Sequence, residues 1–83
     1  AGGVIEVAVV SAGAALAGRA LRDAGLPHDV VVGTIVRAGV VVVPRGESVL
    51  TPGDRVTLIG KKDDVERAMR ELSMPVVPTE PTP

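Results

Sequence analysis

Residues 37–60 read RAGVVVVPRGESVLTPGDRVTLIG, and this stretch decides the fold class. Four consecutive β-branched residues, Val40–Val43, predict a buried strand, and Pro44 ends it because proline has no N–H to donate to a central ladder. Residues 51–54 (TPGD) have the sequence of a type II turn, in which proline fixes the first central φ and glycine supplies a positive second one. The turn leads into another predicted strand, Arg55–Gly60, whose apolar and polar residues alternate.

The residues upstream of this stretch predict two more strands and a helix. Val4–Val10 (VIEVAVV) and Val30–Val36 (VVVGTIV) are short and β-branched, and each predicts a strand. Residues 37–39 (RAG) predict a tight turn that makes a hairpin of the second and third strands. Residues 14–24 place small apolar side chains at spacings of three and four, which predicts a helix, and Gly25 would end it.

The residues downstream predict a second helix. Asp63–Leu72 carries an apolar stripe at helical spacing, and Asp63 followed by Glu66 has the arrangement of a capping box. Acidic residues are favoured at the start of a helix because its dipole is positive there. We therefore interpret the Asp63, Asp64 and Glu66 cluster as part of the helix start, and we predict no metal site.

The order of predicted elements is β-α-β-β-β-α. This order predicts an α+β fold with a four-stranded, mostly antiparallel sheet and two short helices. We expect a single domain at residues 4–72. Residues 1–3 would be a boundary, and residues 73–83, which hold four of the seven prolines, would be an extended and mobile tail.

The composition excludes several classes of chemistry. The chain has 83 residues, room for one domain, and 46% of them are hydrophobic. The absence of cysteine excludes thiolate catalysis, and the absence of aromatic residues removes the usual stacking platforms for single-stranded nucleic acid. Nine basic residues against ten acidic ones give a net charge of −1, which argues against a nucleic acid polymer as partner. No apolar run approaches the roughly 20 residues that span a bilayer, so we predict no direct membrane insertion.

Each candidate catalytic motif in the sequence lacks residues that its chemistry requires. Residues 7–21 resemble the strand, glycine loop and helix of a phosphate site, but only Gly13 fits the three-glycine dinucleotide pattern. Arg19-Ala20 stands where a Walker A motif has Lys followed by Ser or Thr. The single histidine, His28, accompanies no nucleophile-elbow serine. We predict that the protein is not an enzyme and has no catalytic residue.

Two further patterns concern binding. Arg19, Arg22, Arg37 and Arg45 are either ordinary surface charge or an anion-binding group, since arginine suits bidentate recognition of phosphate. The hairpin at residues 30–43 has little polar alternation, so both of its faces are expected to be covered. Two short helices cannot cover both faces of a sheet, which predicts a homodimer or larger assembly.

The sequence as a whole resembles the TrkA-C domain, also called the RCK C-terminal domain, over about residues 4–72. The motifs that carry the resemblance are LAGRALRD (16–23), LP (26–27), VGTIVRAG (32–39), VVPRGE (42–47), LTPGDRVTLIG (50–60) and DV (64–65). The resemblance implies a non-enzymatic, cytosolic regulatory domain of a potassium or cation channel, transporter or antiporter. Such a domain would lie at the inner face of the membrane through its parent or partner protein. Members are commonly dimeric, and several bind a small ligand, notably cyclic di-AMP, in a cleft between the subunits.

The resemblance also implies where a ligand would bind. The implied ligand-binding residues are Leu26, Val31, Val32, Arg37, Pro44 and Arg45. Members that bind cyclic di-AMP have an arginine and an asparagine where this chain has Pro27 and Val31, so Arg37 or Arg45 would have to supply the polar contacts here. No cofactor is expected beyond a small anionic effector of this kind. The alternative is a purely structural dimerisation module with no small-molecule effector.

Overall fold

The computed structural model describes residues 2–76 and confirms the α+β fold class. The strands are β1 (Val4–Val9), β2 (Val31–Arg37), β3 (Val40–Val42) and β4 (Arg55–Gly60), and the helix α1 spans Lys62–Ser73. The four strands form one sheet in the order β1-β4-β2-β3, and all neighbouring pairs are antiparallel. The last strand in sequence is therefore central, and β1 and β3 are the two edges.

The predicted helix at residues 14–24 is wrong, because only Leu21–Asp23 forms a single 3₁₀ turn. Gly13 and Gly18 both have positive φ, 84° and 83°, which a right-handed helix does not allow. The backbone of this segment instead pairs with residues 46–50. The Gly18 N–H donates to the Leu50 carbonyl at 2.7 Å, and the Leu50 N–H donates to the Arg19 carbonyl at 2.9 Å.

Residues 11–16, which lead into this segment, also cap the end of α1. The Ser11 N–H donates to the carbonyl of Leu72 at 3.0 Å, and the Leu16 N–H donates to that of Glu71 at 3.2 Å. These bonds satisfy two of the carbonyls that a helix leaves free at its C-terminus. Beyond the helix, the Val76 N–H donates to the Gly13 carbonyl at 3.0 Å, so the first residues of the predicted tail are held in place. Residue 1 and the rest of that tail, residues 77–83, lie outside the described residues.

Two turns around the sheet have the backbone geometry that their sequences predict. The hairpin of β2 and β3 turns through Ala38 and Gly39, both with positive φ, 50° and 79°, as a two-residue primed turn requires. The type II turn before β4 is confirmed, with Gly53 at φ 93° and the Asp54 N–H donating to the Thr51 carbonyl at 3.0 Å. The predicted capping box is wrong, because Lys61 is the N-cap residue and no side chain caps α1.

The core lies between α1 and one face of the sheet and is entirely aliphatic. Val65, Ala68 and Leu72 of α1 are buried against the sheet. The fully buried large residues of the core are Val10, Ile35, Leu50, Val56, Leu58, Val65 and Leu72. Within residues 2–76, α1 is too short and too polar to cross a bilayer.

Candidate functional site

Four of the six predicted ligand-binding residues gather at one end of the sheet. β3 pairs only with Ile35–Arg37, so the first half of β2, which contains Val31 and Val32, extends beyond it. The antiparallel register sets Val42 opposite Ile35, and Pro44 follows two residues later along the free part of β2. Leu26 lies in the loop before β2 and, like Val32, is half-buried against the core. We call Leu26, Val31, Val32 and Pro44 the apolar end of the sheet.

Arg45 follows this apolar end and is exposed. Its backbone forms a turn in which the Arg45 N–H donates to Ser48 Oγ and the Ser48 N–H donates to the Arg45 carbonyl, both at 3.0 Å. The neighbouring Gly46 carbonyl accepts a bond from the Arg22 N–H at 3.0 Å. The backbones of Arg22 and the Arg45–Ser48 turn are thereby adjacent, and both arginine side chains are exposed. Arg22 Nε lies 3.8 Å from Asp23 Oδ2, and Glu47 is exposed in the turn itself, so the two arginines are accompanied by two carboxylates.

Arg37 lies at the opposite end of β2 and is held by Asp54. Arg37 Nε donates to Asp54 Oδ1 and Arg37 Nη2 to Asp54 Oδ2, both at 2.9 Å. The Thr51 N–H donates to the same carboxylate at 3.0 Å, and Arg37 Nη2 also donates to the Val49 carbonyl at 2.9 Å. The arginine thus ties the hairpin to both ends of the 49–54 segment. Its role as a ligand-binding residue stays a prediction, and its guanidinium is already engaged.

Asp54 is the one buried charged residue among those described, with 1% of its surface exposed. The hydrogen bond from Arg37 lowers the pKa of Asp54 below its ordinary value, against the opposing effect of burial, and the Thr51 N–H lowers the pKa further. Sequence reasoning missed this pair. The signal was the register of β2 and β4, which sets Val36 opposite Arg55 and therefore Arg37 next to Asp54.

A single chain offers little enclosure for a ligand. Residues 2–76 enclose no pocket, and within them no three His, Cys, Asp or Glu side chains come together as a metal site would require. His28 is exposed in its loop. A ligand at the apolar end would therefore need a second surface to close over it.

The sheet face turned away from α1 is a second feature of the surface, and we call it the outer face. It is formed by side chains from all four strands, and the register of the sheet places them in rows. Its members are Ile5, Val7, Val9, Val31, Thr34, Val36, Val41, Arg55, Thr57 and Ile59. Most of its aliphatic side chains are exposed, and Val31 belongs both to this face and to the apolar end.

Comparison with known proteins places the chain in a family. The family model of the TrkA-C domain matches residues 4–73. The chain therefore belongs to the TrkA-C domain family, as its motifs predicted.

Relatives of known type are much longer proteins. The chain is 40% identical over 73 residues to a Trk system potassium uptake protein TrkA homolog of Archaeoglobus fulgidus, which covers 88% of the chain and 16% of that relative. It is 44% identical over 52 residues to the Trk system potassium uptake protein TrkA of Azorhizobium caulinodans, covering 63% and 11%. It is 43% identical over 42 residues to a putative transport protein of Glaesserella parasuis, covering 51% and 8%. The chain thus spans about a sixth or less of the length of these relatives.

A solved structure has the same fold. A chain described as an RCK domain with cda superimposes with a TM-score of 0.73 at 24% identity, covering 83% of this chain and 97% of that one. This likeness shows that the two chains share a fold over 83% of the present chain.

Proposed function

We propose that the protein is a regulatory domain of a potassium or cation transport protein, and that it works as a homodimer with a small anionic effector bound between the subunits. Membership of the TrkA-C family and two relatives named as Trk potassium uptake proteins support the transport role. The domain would then act at the inner face of the membrane, attached to a transport subunit through its parent or partner. The reaction it controls is ion movement, and the domain itself carries out no chemistry.

The observation that carries this proposal is the apolar end of the sheet beside exposed Arg45. Val31 presents an exposed apolar side chain on the outer face at this end of the sheet, and Pro44 is half-buried beyond β3, whereas Val32 and Leu26 are half-buried against the core. Apolar side chains at the edge of a cleft suit the face of a purine base. Arg45 supplies a positive charge suited to phosphate. Because one chain encloses no pocket in the part described, two apolar ends facing each other across a two-fold axis would form the cleft.

A cyclic dinucleotide fits this arrangement, because it carries two bases and two phosphates related by a two-fold axis. A solved domain of the same fold is described as being with cda. A ligand held by both subunits would bind one arrangement of the dimer more tightly than another and would shift the population toward it. Through the attached transport subunit, that shift would open or close the path of the ion.

Binding of cyclic di-AMP tests the effector directly. At a ligand concentration of about 100 Kd we expect stabilisation of about 2.7 kcal/mol, which raises the melting temperature of a domain this size by about 10 °C or more. Arg45→Ala should weaken binding about 100-fold, since each of the two subunits loses one charge-assisted contact and each contact is worth about tenfold. The matched control is Arg67→Ala, which removes an exposed arginine from α1 and should leave binding unchanged.

The same measurement of thermal stabilisation distinguishes an effector-binding domain from the alternative, a purely structural dimerisation module. A folded domain that no cyclic dinucleotide, mononucleotide or divalent cation stabilises would contradict effector binding. It would favour a purely structural dimerisation module, in which the apolar end serves only as subunit contact.

A further inference from the structure

We infer that the second copy covers the outer face, so that the two sheets of the proposed dimer pack face to face. This inference rests on the proposed function for the existence of the dimer and adds the surface that makes it.

The alternation of apolar and polar side chains in β1 is the reverse of what a solvated outer face would have. An antiparallel sheet with one solvated face normally turns apolar residues toward the core and polar residues outward. In β1 the residues on the outer face are Ile5, Val7 and Val9, whereas the strand's only charged residue, Glu6, pairs with Leu58 on the α1 side. The larger aliphatic side chains of this strand are therefore directed to a surface that residues 2–76 leave uncovered.

Two polar side chains of the outer face are hydrogen-bonded to each other, which lowers the cost of burying them. Thr34 and Thr57 lie opposite each other in β2 and β4, and the Thr34 hydroxyl donates to Thr57 Oγ1 at 2.8 Å. A hydroxyl that already has a partner costs less to remove from water than a free one. Arg55 is the one charged residue of this face, and it lies at the end of the sheet where β4 begins. It lies in the same row as Val9, Val36 and Val41, and its long side chain can carry the guanidinium past the end of the sheet into water. A partner can therefore cover the aliphatic side chains of this row and leave the guanidinium at the rim.

The size of the face favours a second sheet as its occupant. Four strands about 4.8 Å apart make a surface about 19 Å wide. The six residues of β1 and of β4 and the seven of β2 make it about 20 Å long, and the three residues of β3 make it about half as long at that edge. A single helix is about 10–12 Å wide with its side chains, so it would cover only about half of this width. Another copy of the same sheet matches both dimensions, and its face carries the same apolar side chains with no acidic residue to oppose them.

The area of the face is small for a stable dimer. In projection the face measures about 350 Å², less than half of the roughly 800 Å² per partner that a stable complex buries. We therefore expect the isolated domain to dimerise weakly. The match covers only 16% and 11% of the relatives. A longer parent chain that itself self-associates would raise the local concentration of the two copies.

The sharpest test uses two adjacent residues of β3. Val40 and Val41 are 64% and 65% exposed, but Val41 is on the outer face and Val40, opposite Arg37, is on the other one. Sedimentation equilibrium up to about 1 mM should give a dimer for the unmodified chain. Val41→Lys should weaken the dimer at least about tenfold, because the new ammonium group would be buried without a partner. Val40→Lys is the matched control and should leave the dimer intact.

A second variant guards against local effects on the short strand β3. Val7→Lys changes the opposite edge of the outer face and should weaken the dimer as Val41→Lys does. In addition, dilution of the unmodified chain should shift the amide resonances of β1 and β3 residues on the outer face more than those of α1.

The outcomes separate this inference from the proposed function. A dimer that tolerates both Val41→Lys and Val7→Lys forms through another surface, which overturns the inference and leaves the proposed function standing. A folded chain that stays monomeric at about 1 mM overturns the inference together with the homodimer. Cyclic di-AMP binding, measured separately, decides the effector.

Discussion

The two faces of the sheet carry similar side chains in opposite surroundings. On the inner face, Val56 and Leu58 of β4 are fully buried under α1. On the outer face, Ile59 from the same strand and Val7 from its neighbour are exposed. Aliphatic composition is therefore not what distinguishes core from surface here. The difference is whether this chain supplies the cover, and the inner face accounts for folding whereas the outer face is available for assembly.

Adjacent residues of β4 give the largest expected contrast between the faces. Leu58→Ala removes a fully buried side chain and should lower the free energy of unfolding by about 3 kcal/mol. Ile59→Ala, one residue further along, should cost only about 1–2 kcal/mol in dilute solution, because 38% of its surface is already exposed. Urea unfolding at low micromolar concentration measures both. Equal losses would mean that the outer face contributes to the stability of the single chain.

The buried ion pair is the polar anchor of the inner side and gives the next largest effect. Asp54→Asn removes the charge that Arg37 and the Thr51 N–H contact and should lower the free energy of unfolding by about 2 kcal/mol. The guanidinium of Arg37 is partly exposed and regains water, which limits the loss. Urea unfolding at pH 7 measures this effect, and a change below about 0.5 kcal/mol would contradict an anchoring role.

The same pair predicts a pH dependence with a definite sign. The folded-state pKa of Asp54 lies below its ordinary value of 3.8, chiefly because Arg37 donates to it. The carboxylate therefore stabilises the fold fully above that ordinary value, and the stabilisation is lost as the pH falls through the lower folded-state pKa. Unfolding measured between about pH 5 and pH 2 should show this loss. Asp54→Asn should remove that part of the slope, and an unchanged slope would assign the acid sensitivity to other carboxylates.

Local patterns were enough to predict most of the sheet and the helix. The turn at residues 51–54 and the strand Arg55–Gly60 form as predicted, because proline and glycine fix the turn within four residues. The apolar stripe of α1 likewise needs only its own spacing. Residues 14–24 failed because their alanine pattern suits a helix, whereas the observed backbone bonds go to residues 46–50, far along the chain. No local pattern encodes a partner of that kind.

The contacts of the candidate site also differ in whether local sequence is enough to predict them. The proximity of Val31 and Pro44 follows from the hairpin, whose short turn returns the chain along β2. The engagement of Arg37 by Asp54 depends on β4 pairing with β2, two strands that are not consecutive in sequence. Reasoning from residue types alone therefore grouped Arg37 with Arg45, although one is held in an ion pair and the other is exposed.

The hairpin turn between β2 and β3 sets how firmly both faces are held at this edge, and it predicts a smaller effect of opposite sign. Ala38 adopts φ 50°, a conformation that costs a residue with a Cβ about 1 kcal/mol. Ala38→Gly should therefore raise the free energy of unfolding by about 0.5–1 kcal/mol. Gly39→Ala, at φ 79°, is the reciprocal control and should lower it. A loss of stability in Ala38→Gly would mean that the entropy of the unfolded chain outweighs the strain of the turn.

The smallest effect on folding should come from the polar centre of the outer face, and it sharpens the comparison most. Thr34→Val removes one hydroxyl of the pair with Thr57 and keeps the shape of the side chain, so unfolding in dilute solution should change by less than about 0.5 kcal/mol. At high concentration the same variant should dimerise less tightly, because the Thr57 hydroxyl would then be buried without the partner that it has in the unmodified chain. A thermal melt at 10 µM and at 1 mM separates the two effects. If the outer face is where two copies meet, the difference in melting temperature between these concentrations should be smaller for Thr34→Val than for the unmodified chain, whereas equal differences would mean that this face stays in water.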